Sequence, residues 1–116
     1  MYLMTYVTAA DLDEARRIAK TLVTERLAAC VNILGQIESV YHWEGEVQSS
    51  GEAVFLAKTT EAHFDALVER VRELHSYELP CIVAMPLVRG EAAFLGWIKD
   101  NVRSVGNDDV FCEGEA

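Results

Sequence analysis

The feature that most constrains the fold is a long run of alternating side chains between Cys30 and Glu44. Apolar residues hold the odd positions and polar residues the even ones: Val31, Ile33, Ile37, Tyr41 and Trp43 against Asn32, Gln36, Glu38, His42 and Glu44. A period of two predicts a β-strand with two unlike faces, because successive side chains point to opposite sides. Roughly 15 residues at about 3.3 Å each span about 50 Å, whereas an average strand has about 5–6 residues. Such a strand must overhang an ordinary sheet.

The residues that follow predict the second strand of a hairpin. Gly45 lies between two glutamates and can supply the positive φ of a tight turn. The return strand carries Val47 and then the apolar segment 54–57, with Gly51 predicted as a bulge or bend. The two strands together form a long antiparallel hairpin.

The tip of this hairpin carries Tyr41 and Trp43, which a single copy of the chain would leave exposed. Two interpretations stay open. Either a second copy covers the tip, or the hairpin bends at Gly35 and folds back on its own domain. The apolar content of the tip favours an oligomer.

The rest of the chain alternates between short apolar runs and helical stripes. Strands are predicted at residues 2–8 and 82–88, and helices at 12–26, from about 60 to 74, and after Gly90. Asp11 and Glu14 predict a capping box at the first helix. The apolar stripes are Leu12, Ala15, Ile18, Ala19, Leu22 and Val23; Phe64, Leu67, Val68, Val71 and Leu74; and Phe94, Leu95, Ile98 and Val102.

The order of elements is therefore βαββαβ with an additional helix at the end. This order predicts an α+β, ferredoxin-like split βαβ sandwich, in which one antiparallel sheet carries two helices on one face. Residues 1–105 form the predicted domain, and residues 106–116 form an acidic C-terminal tail in which Val110 and Phe111 could add a short edge strand.

Composition narrows the classes of partner. The chain has 116 residues and a formal net charge of −9, from 19 acidic and 10 basic residues. So acidic a surface repels phosphate backbones, and no nucleic acid is expected as a partner. No apolar run is long enough to span a membrane. The N-terminal residues lack the basic region and cleavage site of a secretory signal, which predicts a cytoplasmic protein.

The cysteines and the motif content argue against several kinds of chemistry. Cys30, Cys81 and Cys112 are odd in number and far apart, which argues against a disulfide framework, and no C-x-x-C pair indicates a zinc knuckle. The sequence contains no nucleophile elbow, Walker A loop, dinucleotide-binding fingerprint or zincin motif. We therefore expect no enzyme.

Five segments, taken together, resemble the CutA family of divalent-ion (copper) tolerance proteins. They are residues 27–33, 39–45, 56–60 and 75–80, and Gly90 with 94–98. The resemblance implies a ferredoxin-like fold packed as a homotrimer, in which the long hairpins knit the subunits together. It also implies a role in tolerance to copper and other divalent ions, and an architecture similar to that of PII-type signalling trimers. Two positions depart from the family pattern, since Ser76 stands where proline is usual and Cys81 where glutamate is usual.

His75, Cys30, Glu78 and Cys81 are the candidate metal ligands. Imidazole suits copper, and Glu78 lies three residues after His75, while a thiolate would suit Cu(I). The alternatives are that His75 caps a helix end and that Cys30 is a small buried apolar residue. These residues predict at most a weak, exchangeable Cu²⁺ site, completed across subunits.

Lys58, Tyr77, Trp43 and Glu44 are the candidate residues of a cleft between subunits. Lys58 with Tyr77 could hold an anionic small molecule there. The alternative is an ion pair between Lys58 and Glu44 or Glu78 that fixes the arrangement of the trimer. His42 and His63 are predicted to face solvent and receive no role.

Three functions stay open. The chain could be a divalent-cation-binding trimer, a PII-like regulator that binds a small ligand and signals to an unknown protein partner, or a non-catalytic trimeric scaffold.

Overall fold

The computed structural model describes residues 1–104. The elements in chain order are β1 (Tyr2–Ala9), α1 (Leu12–Thr24), β2 (Cys30–Trp43), β3 (Glu46–Thr60), a 3₁₀ turn (Glu61–His63), α2 (Phe64–Leu74), β4 (Ile82–Pro86) and α3 (Ala92–Asn101). The strands form one antiparallel sheet in the order β2-β3-β1-β4. The predicted α+β class and βαββαβ order are confirmed. The predicted tail at 106–116, with Cys112, Val110 and Phe111, lies outside the described residues.

The core lies between α1, α2 and one face of the sheet. Val7 on β1 is paired with Phe55 on β3, and both side chains are fully buried. Ile18 and Leu67 bring the apolar stripes of α1 and α2 onto this face. We call the opposite side of the sheet the second face. It carries Lys58 among other residues, because side chains alternate along β3.

Helix α1 begins with the predicted cap. The Asp11 carboxylate accepts a hydrogen bond from the Glu14 amide at 2.8 Å, and the Glu14 carboxylate accepts one from the Ala10 amide at 2.8 Å. The second bond reaches one residue further than in a standard capping box. The helix ends at Thr24, before the predicted end, because Arg26 has a left-handed φ of 59°.

The hairpin turn places Glu44 and Gly45 at φ values of 52° and 84°. Positive φ at both central residues matches the right-handed twist of the flanking strands. The predicted bulge at Gly51 is wrong, since Gly51 pairs regularly with Glu38. The register shift lies on the other strand between Ile33 and Gln36 and includes Gly35, whose φ is 79°.

This bulge reverses which side chains of β2 face the helices. Ile33 is paired with Phe55 and Gln36 with Ala53, so both point toward the core side. Ile37 therefore points to the second face, because the bulge adds one residue to β2 but none to β3. The prediction that odd positions share one face along the whole strand is wrong.

Beyond the bulge the hairpin stays extended. Pairing continues to Trp43 and Glu46 at the tip, and the molecule measures 49 Å along its longest axis. The alternative in which the hairpin folds back on its own domain is wrong, since residues 40–47 are all exposed.

The third helix is less buried than its predicted stripe. Ile98 is fully buried, whereas Phe94 is exposed and stacks on Trp97 with ring centroids 5.6 Å apart. Val102 follows the end of α3. Within residues 1–104, no helix combines the length and apolar character that crossing a membrane requires.

Candidate functional site

His75 lies at the end of α2, and its side chain is completely buried. Its Nε2 donates a hydrogen bond to the Thr8 carbonyl at 2.7 Å, because a carbonyl oxygen can only accept. Its Nδ1 accepts a hydrogen bond from the Tyr77 amide at 3.0 Å. Both nitrogens of the neutral ring are therefore engaged, and neither has a free lone pair for a metal ion.

Glu14 is a buried carboxylate that anchors the loop after His75. One oxygen accepts the Ala10 amide, and the other accepts the Ser76 amide at 2.8 Å. Arg17 Nη2 lies 3.7 Å away and His75 Nδ1 3.9 Å away. Burial acts to raise the pKa of Glu14, but the hydrogen bonds from Ala10 and Ser76 outweigh it and lower that pKa. Glu14 is thus an ionised acceptor that ties the loop to α1.

Tyr77 connects the same loop to the base of the hairpin. Its hydroxyl donates a hydrogen bond to Glu52 Oε2 at 2.8 Å, and its ring centroid lies 4.7 Å from that of His75. Burial and the Glu52 carboxylate raise the pKa of Tyr77, so its hydroxyl keeps its proton and remains a donor.

The other two candidate ligands of the loop are exposed. Glu78 faces solvent, and Cys81 directly precedes β4. Partial burial, and then the negative charge of Glu52, raise the pKa of the Cys81 thiol. Less thiolate forms at neutral pH, so Cys81 is a weaker nucleophile and metal ligand than a thiol with the ordinary pKa.

Cys30 and Lys58 form a cross-strand pair on the second face of the sheet. Cys30 is half-buried, and the ammonium of Lys58 donates a hydrogen bond to Asn32 Oδ1. Among residues 1–104, no carboxylate oxygen lies within 4.0 Å of the Lys58 ammonium. Lys58 is therefore a half-buried residue whose exposed ammonium has no carboxylate partner in the described part of its own chain.

The four candidate metal ligands do not form one site within a single chain. Cys30 pairs with Lys58 of β3, and Lys58 pairs with Met4 of β1. His75, by contrast, bonds to the carbonyl of Thr8, further along β1. Four residues along β1 separate these levels by about 13 Å. No group of three His, Cys, Asp or Glu side chains in the described residues could hold a metal ion.

Lys58 and Trp43 lie on the second face of the sheet, Tyr77 reaches β3 from its loop through Glu52, and Glu44 lies in the hairpin turn, so the candidate cleft residues are far apart. Tyr77 bonds to Glu52, which is six residues, or about 20 Å, along β3 from Lys58. Trp43 pairs with Glu46, a further six residues away. Within one chain they form a row rather than a cleft.

His63 is buried, although the sequence predicted that it faces solvent. Its Nδ1 lies 2.6 Å from Thr60 Oγ1, and its Nε2 lies 2.5 Å from the Arg103 carbonyl. Thr60 is the extended residue before the 3₁₀ turn and His63 is the last residue of that turn, so one turn of chain brings the ring to the Thr60 hydroxyl. The sequence signal that could have predicted this contact is the Thr-x-x-His spacing at the start of a helix. Glu14, Glu52 and Asn32 were also missed as partners.

The chain is similar to proteins of one family over nearly its whole described length. A family model described as CutA1 divalent ion tolerance protein matches residues 3–101. The divalent-cation tolerance protein CutA of Thermus thermophilus is 47% identical over 95 residues, which cover 82% of this chain and 92% of that protein. The chloroplastic protein CutA 1 of rice is 42% identical over 101 residues, which cover 87% of this chain. This chain spans 57% of that rice protein and 56% of its Arabidopsis counterpart.

Solved structures agree with this similarity. The crystal structure of CutA1 from Oryza sativa superposes with a TM-score of 0.88 and 40% identity, covering 90% of this chain and 95% of that one. A structure from Archaeoglobus fulgidus, described as the periplasmic divalent cation tolerance protein CutA, has a TM-score of 0.85 and 42% identity, covering 87% and 98%.

These comparisons overturn the predicted cytoplasmic location. The rice and Arabidopsis relatives are chloroplastic proteins, and the Archaeoglobus structure is described as periplasmic. The prediction was wrong because it inferred location from the composition of the N-terminal residues, whereas relatives with the same domain are named for different compartments.

Proposed function

This chain belongs to the CutA1 family of divalent ion tolerance proteins, and from that membership we propose that it acts in divalent-cation tolerance as a homotrimer. The observation that supports the homotrimer is the exposed apolar surface of the second face. Tyr41, Trp43, Val83 and Met85 are each between 41% and 54% exposed there. Exposed apolar side chains on one face of a sheet mark an interaction surface.

The overhanging hairpin favours more than a two-subunit contact. Val40 and Val47 are each 66% exposed and lie on the opposite side of the hairpin from Tyr41 and Trp43. The apolar side chains on both sides of this hairpin are buried only if the hairpin lies between two other subunits. Sedimentation velocity tests this, with a mass of three chains expected and a monomer as the contradicting result.

We propose that Cu²⁺ binds weakly and exchangeably, with donors from more than one copy. Glu78 and Cys81 keep free donor atoms on the exposed loop, and Cys30 keeps its thiol on the second face. His75 supports this loop from within, because both of its nitrogens already have partners. Carboxylate and thiol donors from a single chain do not complete a coordination sphere, so the site depends on assembly.

Calorimetric titration tests the copper proposal. Reduced, metal-free protein carrying Cys112→Ser is titrated with Cu²⁺ and with Zn²⁺, so that the thiol outside the described residues cannot contribute. Saturable binding of copper at a simple ratio per subunit, lost in Cys81→Ser, supports the site. Cys30→Ser tests the other proposed thiol donor, and His42→Gln, at an exposed histidine outside the proposed donor set, is the control. Weak, unsaturating heats that are alike for both ions would mean that the acidic surface alone attracts them.

A PII-like role in binding a small anion is the second candidate, and Lys58 favours it. An ammonium without a carboxylate partner in its own chain attracts an anion, either a ligand or a glutamate of another copy. Equilibrium dialysis with phosphate and citrate separates the two cases. Binding that disappears in Lys58→Ala but persists in Lys99→Ala supports a ligand site. If the parent protein binds neither anion and Lys58→Ala loses the trimer, the result supports an intersubunit ion pair of Lys58 with Glu44 or Glu78.

The third candidate is a non-catalytic scaffold that presents a surface to a protein partner. A stable trimer that binds neither copper nor anions would leave this role. We propose no catalytic activity, because the sequence contains no motif of a nucleophile, phosphate-binding loop or hydrolytic metal site.

A further inference from the structure

The His63 ring joins two parts of the chain that are 40 residues apart. Nε2 must carry the proton in its bond to the Arg103 carbonyl, which can only accept. Nδ1 is then the acceptor, and the Thr60 hydroxyl donates to it. The neutral ring in this single tautomer satisfies both neighbours.

Arg103 is held through both of its backbone polar groups. Its carbonyl accepts from His63, and its amide donates to the Arg26 carbonyl at 2.9 Å. These two bonds fasten Arg103, the second residue after α3, to the start of α2 and to the connection between α1 and β2.

Helix α3 depends on this attachment because it buries little of its own surface. Ile98 is its single fully buried side chain among the described residues, and Leu95 is half-buried. The stacked pair of Phe94 and Trp97 remains more than 40% exposed. An element with few buried apolar contacts opens more easily than the core.

We propose that His63 is an acid-sensitive latch whose protonation releases Arg103 and loosens α3 from the domain. A proton added at Nδ1 would point at the hydrogen of the Thr60 hydroxyl. The hydroxyl must therefore rotate, so that its oxygen accepts a hydrogen bond from Nδ1 instead of donating one. The resulting imidazolium is buried, where a charge is costly. Opening the latch exposes the ring to water, which removes that cost.

Burial sets the sign of the effect, and several charged groups lie on the elements that the latch joins. They are Arg103, Arg26 on the α1–β2 connection, Glu61 on the 3₁₀ turn, and the terminal amino group of Met1, whose carbonyl accepts from Glu61. Burial lowers the pKa of His63, and the positive charge of Arg103 lowers it further, against the opposing effect of the hydrogen bond to the Arg103 carbonyl. The open state therefore binds a proton more readily than the closed state.

Because proton binding by His63 is linked to opening, the equilibrium constant for opening changes measurably with pH. An exposed His63 has the ordinary pKa of 6.5. As pH falls below that value, the equilibrium constant for opening rises by up to about tenfold per pH unit, until the pKa of the closed state is reached.

Amide hydrogen exchange between pH 8 and pH 5 tests the proposal in the full chain. Exchange rates of the Ile98 and Arg103 amides, divided by their intrinsic rates, are expected to increase with acid at that slope. In His63→Gln, whose amide group can still donate to the Arg103 carbonyl but does not titrate in this range, the slope should vanish. His42→Gln, which changes an exposed histidine of the hairpin, should keep it.

Two results would overturn the latch. One is an unchanged pH slope in His63→Gln. The other needs no variant, and so remains available if His63→Gln does not fold. The imidazole of His63 is titrated by NMR in the unmodified protein, and the idea fails if its protonation occurs without faster exchange at Arg103. Neither result depends on copper or anion binding.

Discussion

Ile33 and Ile37 lie four positions apart in one strand, yet their side chains point to opposite sides of the sheet. The cause is the bulge between them, which adds one residue to β2. It places Tyr41 and Trp43 on the same face as Lys58, across which we propose that a second copy lies. The bulge thereby joins the overhanging hairpin and the sheet into one apolar surface.

Deleting Leu34 is expected to remove this bulge without abolishing assembly. Gly35 would then stand opposite Val54, and residues 36–43 would keep their partners on β3 and therefore their faces, because cross-strand partners share a face of the sheet. Sedimentation velocity of the variant should still show a trimer. Gly51→Ala is the control, since Gly51 is regularly paired and a Cβ there meets no atom within 4 Å. A monomer after the Leu34 deletion would mean that assembly needs the bulge itself and not only the face on which Tyr41 and Trp43 lie.

Glu14→Gln is expected to lower the free energy of unfolding by about 1–3 kcal/mol at pH 7, because an amide NH₂ would face a backbone donor. The folded pKa of Glu14 lies below its ordinary 4.5. The carboxylate's contribution is therefore present above pH 4.5 and is lost as pH falls through the folded pKa. Urea unfolding should show a difference between variant and parent that shrinks in acid. Asp13→Asn, with a side chain 95% exposed, should change little. Equal stability of Glu14→Gln and parent at pH 7 would refute the anchor.

The sequence predicted the elements and the sheet class because hydrophobic periods of two and 3.6 follow directly from strand and helix geometry. It could not choose between Gly35 and Gly51 for the bulge, since both glycines permit one and the choice depends on the register with β3. The partners of His75 were hidden for a related reason. They are the backbone groups of Thr8 and Tyr77, which no side-chain pattern encodes.

Glu52→Gln is expected to increase the rate at which iodoacetamide alkylates Cys81 at pH 8. Removing the carboxylate's charge lowers the raised pKa of the thiol, although the effect of partial burial remains. Peptide mapping by mass spectrometry gives the rates of Cys81 and Cys30 separately, so Cys30 is an internal control. If both rates rise together, the hairpin has loosened. An unchanged Cys81 rate would mean that the charge of Glu52 does not act on the thiol.

Ser76→Pro tests whether the backbone amide at this position holds the loop. Proline removes the N–H that donates to Glu14, and His75 already has the extended backbone, φ −83° and ψ 144°, that a following proline requires. We expect a loss of about 1–3 kcal/mol in the free energy of unfolding, because Glu14 keeps its charge but loses a donor. Ser76→Ala keeps the N–H and should cost less. If the two variants unfold at the same urea concentration, the amide of Ser76 does not anchor the loop to α1.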